Sequence, residues 1–225
     1  MLQYCLITIF LFLSFGTVIS AQTTTYDTDF QIWNDTQFIF PLNEKKDLTA
    51  TIWVFGRLGN NLKTATDARI GGLLSKKINK NLTVSGGYLY RYSNTTFTQK
   101  RYESRYLGIA TATLPLGKKF TLVNRNMYQY EDRNSRPDAS VVRSRFWLKR
   151  EVTVAKKKIE PFVSFEPFYD FRLKTFARYR TQIGFSHKLN PKFSADYYYV
   201  RQDETGNGTR PGTLNGIGSS FRVNF

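Results

Sequence analysis

The chain has 225 residues, a formal net charge of +16, one histidine and one cysteine. A single cysteine excludes a disulfide framework and a thiolate metal cluster. The positive balance points to nucleic acid, anionic lipid or acidic solutes as partners, and the export segment described next argues against nucleic acid.

Residues 4–20 are almost wholly apolar, and Ile19-Ser20-Ala21 then offers a small residue before Gln22. That length and exit predict a cleaved signal peptide over 1–21 and one mature domain over 22–225. The segment before the apolar run has no Lys or Arg, so an uncleaved anchor is the rival reading. Cys5 lies inside the leader, which leaves the mature chain without a thiol and at ease in an oxidising compartment.

After Ala21 no apolar run reaches the ~18 residues of a spanning helix. Stretches of about 10 residues recur instead, alternating apolar and polar, the signature of a membrane strand. Strands are predicted near 30–40, 47–58, 68–75, 82–93, 102–114, 120–132, 140–154, 160–173, 177–189, 193–202 and 214–225. In 82–92, for example, Leu82, Val84, Gly86, Tyr88, Tyr90 and Tyr92 take one face, with Thr83, Ser85, Gly87 and Arg91 on the other. The connections alternate between short lysine-rich turns, such as Asn43-Glu44-Lys45-Lys46 and Lys188-Leu189-Asn190-Pro191-Lys192, and longer polar loops at 59–67, 93–101, 133–139 and 203–213. Short periplasmic turns and longer outer loops mark outer-membrane barrels.

The expected fold is therefore all-β: a transmembrane antiparallel up-and-down β-barrel. Eleven segments conflict with the even count of such barrels. A hidden strand in 22–29 makes twelve, and one false segment makes ten; twelve is the working count. A soluble β-sandwich also alternates, but it gives no reason for outward faces rich in Tyr, which suit interfacial girdles. Pro167 removes a ladder donor within a strand and predicts a bulge or an edge there.

The last strand places Ile217, Ser219, Phe221, Val223 and the terminal Phe225 on one face. Phe221, Val223 and Phe225 resemble the signal read by the bacterial outer-membrane barrel-assembly machinery. From about residue 29 onward the order of motifs resembles the domain of unknown function 2490 family. The matching pieces are Asp29-Phe30-Gln31-Ile32-Trp33, Gly87-Tyr88-Leu89-Tyr90-Arg91-Tyr92, Val163-Ser164-Phe165-Glu166-Pro167-Phe168, Arg178 to Phe185 and Asp196-Tyr197-Tyr198-Tyr199. The resemblance implies an outer-membrane barrel and supplies no catalytic residue or ligand.

With the apolar face toward lipid, the lumen receives Arg57, Arg91, Arg105, Arg125, Arg143, Arg145, Arg178 and Arg180, together with Lys149 and Arg172. Glu103, Glu131, Glu151, Glu166, Asp170 and Asp196 fall on the same side. Either these groups form salt-bridge ladders that fill a narrow barrel, with Glu166 and Asp170 paired to arginines of neighbouring strands, or they line a cationic water path that favours anions.

Three functions follow: a porin-like narrow passive channel or solute-binding barrel taking a small anionic solute; a non-conducting structural or partner-docking barrel; and an outer-membrane lipid-directed hydrolase or transferase. The third needs a nucleophile beside a base. His187 is the one histidine, and Ser186 beside it points to the opposite strand face. The expectation is a non-enzyme without cofactor or metal. Asp203-Glu204 and Asp27-Asp29 have no Ca²⁺-loop spacing. The expected partners are outer-membrane lipid, lipopolysaccharide phosphates near Arg133-Asn134-Ser135-Arg136-Pro137, and the assembly machinery. The expected location is the bacterial outer membrane.

Overall fold

A computed structural model describes residues 27–96, 99–117, 119–134, 136–154, 157–205 and 211–225. The expected leader 1–21, residues 22–26 of the anticipated extra strand and the loop tip 206–208 lie outside the described residues.

Twelve strands follow one another: β1 (Asp27–Pro41), β2 (Leu48–Gly59), β3 (Thr64–Lys77), β4 (Leu82–Thr96), β5 (Gln99–Leu116), β6 (Phe120–Arg133), β7 (Ala139–Arg150), β8 (Val152–Val154), β9 (Lys157–Asp170), β10 (Thr175–Lys188), β11 (Phe193–Glu204) and β12 (Gly212–Asn224). Neighbours in sequence pair antiparallel, except that β7 pairs with β9 and not with β8, and one parallel pairing closes the wall. β12 pairs with β1 in parallel, from Asp27↔Gly212 to Ile39↔Asn224. Among the described residues closure pairs each of the eleven long strands on both sides, the condition for a sheet in lipid.

β8 continues β7 past Glu151, and both lie against β9. Among the described residues the twelfth strand therefore comes from a break in β7, and Asp27–Asp29 of the anticipated extra strand belong to β1. Among the described residues the wall has eleven staves. An even count is required only when the seam is antiparallel. The parallel seam removes that requirement at a small cost per residue in pairing strength.

Pro167 acts as expected. The β7–β9 ladder is interrupted between Arg143↔Phe168 and Phe146↔Phe165, and β10 bulges between Phe176 and Arg178. The loops anticipated at 59–67 and 93–101 are shorter than expected, because β2–β3 pairing runs to Gly59↔Thr64 and β4–β5 pairing to Thr96↔Gln99. Backbone ladders continue there after the apolar alternation has ended.

Outward faces present exposed Ile52, Val54, Ile70 and Leu74 in mid-wall. Tyr88 and Tyr106 (ring centroids 5.5 Å apart), then Tyr106 and Tyr130 (6.3 Å), form an aromatic girdle toward the loop end. At the turn end Phe193 stacks on Phe221 (5.8 Å) and Phe40 on Phe225 (4.6 Å). Inside, Trp53, Leu89, Leu107, Ile109 and Met127 form an apolar cluster along β2–β6. These residues occupy the face expected to be polar, so one side of the lumen is an apolar wall.

Candidate functional site

Alternation turns every second residue of a stave inward, and the inward set brings together all eight expected arginines. They line two cavities in series, about 270 Å³ toward the turn end and about 240 Å³ toward the loop end. Arg57, Arg69, Gln129, Arg143 and Arg180 border both and form a waist between them.

Two ion-pair networks organise the charge. On β2–β6, Asp67 receives Arg69 (2.7 Å), Arg91 (2.7 Å) and, more distantly, Arg57 (3.9 Å). Arg91 bridges on to Glu103 (3.0 Å), which also receives Arg105 (2.5 Å) and Arg136 (2.6 Å). Glu131 takes Arg105 (3.1 Å) and Arg133. Six arginines thus share three carboxylates. On β7–β10, Glu166 alone receives Arg143 (2.9 Å), Arg145 (2.5 Å) and Arg180 (3.2 Å). Arg178 pairs with Glu204 (2.5 Å) and Arg222 with Asp196 (2.7 Å).

The two sequence expectations therefore combine. Ladders do form, but each large network carries more arginines than carboxylates. A guanidinium cannot deprotonate to escape burial. Holding such an excess in a dry interior costs several kcal/mol per ion, so the arrangement is stable only with water or anions beside it.

Two acidic assignments are corrected. Glu151 is not a lumen group. It sits half-exposed at the turn-end rim, paired with Lys158 at 2.8 Å, because the wall breaks between β7 and β8 there. Asp170 faces the loop-end cavity, yet it accepts the Leu173 backbone N–H (3.1 Å) and caps the β9–β10 turn rather than joining an arginine ladder. Asp67, Arg69 and Arg222 are site residues that the sequence reading missed, and Arg133 and Arg136, expected in an outer loop, turn inward onto Glu131 and Glu103. For Asp67 and Arg69 the signal was present in their alternation with Ala68 and Ile70, Asp67 standing one residue before the strand as read and Arg69 second within it.

His187 lies near the turns with Nδ1 3.2 Å from the Lys158 carbonyl oxygen, while Ser186 is buried on the inner face. Among the described residues no three His, Cys, Asp or Glu side chains gather as a metal site. Glu204 is engaged by Arg178, and Asp203 by Arg201 (3.1 Å).

A family model described as "Protein of unknown function (DUF2490)" matches residues 30–211. The chain belongs to this family. No curated protein matches it. Among solved structures, it is similar to the β-domain of the Bordetella autotransporter BrkA, at 10% identity and a TM-score of 0.50, over 79% of this chain and 82% of that one. It also matches OmpT of Vibrio cholerae at 13% identity and a TM-score of 0.38, over 77% and 62% of the two chains. At such identities the BrkA likeness is one of fold alone: the family member is an outer-membrane-like β-barrel, as the resemblance implied.

Proposed function

We propose that this barrel is a narrow passive conduit of the bacterial outer membrane that favours small anions. The observation that carries the reading is the waist. Arg57, Arg69, Arg143 and Arg180 border both cavities, and they belong to networks with too few carboxylates to neutralise them. Rings of arginine in a low-dielectric passage attract anions and repel cations. In this reading the lysine-rich turns face the periplasm beside anionic headgroups, and Phe221, Val223 and Phe225 form the assembly signal of a chain exported by residues 1–21.

The test is single-channel recording of the folded barrel in a planar bilayer under a KCl gradient. The expected result is a small steady conductance whose reversal potential has the sign of chloride preference. Exchange of Arg143 and Arg180 for Glu is expected to move that potential toward potassium. Silence from a correctly folded, heat-modifiable barrel overturns the conduit. The same waist contacts support a second reading, a non-conducting envelope barrel: Trp33 is buried between Arg57 and Arg180, and the apolar cluster fills one side of the lumen. That reading predicts silence, with altered detergent sensitivity when the protein is lost.

A further inference from the structure

Arg125 on β6 and Arg145 on β7 are direct cross-strand partners. Like charges placed opposite one another on a sheet repel, so the pair needs compensation. Part comes from Trp147, the next inward residue of β7, whose ring centroid lies 5.1 Å from the Arg125 guanidinium carbon and 4.7 Å from that of Arg145. Arg145 also donates to Glu166 (2.5 Å) and to Gln182 Oε1 (3.3 Å).

Arg125 has no such outlet. Of the eight arginines expected in the lumen, it alone has no carboxylate within ion-pair distance among the described residues, and it donates no hydrogen bond to them. Its Nε is shut away from solvent without an acceptor, as is the Nε of Arg145. A fork of five permanent donors held this way lacks an oxyanion of matching shape. The carboxylates of the same cavity do not supply it. Asp196 is held by both arms of Arg222 (2.9 and 2.7 Å), and Asp35 accepts the Trp53 indole N–H (3.1 Å).

We propose that the turn-end cavity contains a binding subsite for a small organic carboxylate, with Arg125 as its anchor and Trp147 as its floor. The body of the ligand meets the aromatic side chains Trp53, Phe162 and Tyr198, which line the same cavity of about 270 Å³. A ligand with both an oxyanion head and an apolar body satisfies the two kinds of wall present. The subsite rests on the reading of the lumen as open to solutes, but not on conduction.

Isothermal titration of the folded protein in detergent micelles with benzoate, and separately with inorganic phosphate, tests it. Benzoate is expected to bind, with affinity falling at least roughly tenfold in Arg125→Gln and only partly in Arg125→Lys. Arg178→Gln, in the other cavity, is expected to leave it unchanged. An anchoring arginine with no carboxylate partner also destabilises the empty barrel, so Arg125→Gln is expected to fold and to unfold at an equal or higher urea concentration than wild type. No benzoate binding, equal binding in Arg125→Gln, phosphate binding as tight as benzoate, or a destabilised Arg125→Gln barrel would each overturn the subsite. Because titration needs no current, a conducting barrel that ignores benzoate loses this subsite alone, and a silent barrel that binds it loses only the conduit.

Discussion

Arg57 stands over Trp33, its cross-strand partner, with the guanidinium carbon 3.7 Å from the indole centroid. Arg180, from β10, approaches the same ring at 4.8 Å. One indole therefore holds two waist arginines from different parts of the wall, and its N–H is fixed by the Gln31 side-chain oxygen at 2.8 Å. Trp33→Ala is expected to widen the passage and to raise single-channel conductance. It should also lower stability by about 3–5 kcal/mol, the usual cost of removing a buried large aromatic side chain, measured as a drop in the urea midpoint of the folded barrel.

Glu166 is 1% exposed and serves three arginines. Glu166→Gln keeps the shape and removes the only carboxylate of that network. Breaking a buried ion pair from one side costs about 3–5 kcal/mol, so the urea midpoint should fall strongly. Anion preference should rise in the same variant, because three guanidinium charges lose their counter-charge. A midpoint equal to wild type would show that solvent already screens this network.

Tyr198 leans over Gly218, its register partner on β12. A Cβ on Gly218 would run into the Tyr198 ring, closer than any side chain tolerates. Gly218→Val is expected to cost about 1–3 kcal/mol through overpacking. Tyr198→Ala in the same chain should recover most of that loss, because the clash is with the ring and not with the main chain. A double variant no more stable than Gly218→Val alone would place the constraint in the backbone.

Phe225 stacks on Phe40 across the seam between β1 and β12, 4.6 Å between centroids. Such a contact is worth about 0.5–1.5 kcal/mol beyond area burial, so deletion of Phe225 should hardly change refolding in micelles. Insertion in living cells should fall severely if the terminal Phe is an assembly signal. Equal loss in both assays would make it a structural residue only.

The turn-to-loop alternation, the eleven long stretches of chain and the inward direction of Arg125, Arg143 and Arg180 were legible in the sequence. A strand has a period of two whatever surrounds it, and lipid on one side enforces apolar residues there. The limits of β3 were not legible, because Thr64–Asp67 extend a ladder beyond the apolar pattern that marks its middle. Nor was the apolar inner wall: Leu89, Leu107 and Ile109 lie inside because their packing partners, Trp53 and Met127, are inside too.

Sequence alone determined that this chain is a β-barrel with a basic interior, since period and charge are properties of each strand taken singly. Only the tertiary structure decided that, among the described residues, the wall closes in parallel as eleven staves, Glu166 is shared by three arginines, Glu151 lies at the rim, and Arg125 has no carboxylate partner. Each of these depends on which strand lies beside which and in what register, and hydrogen bonding around the closed wall sets that relation far from the residues concerned.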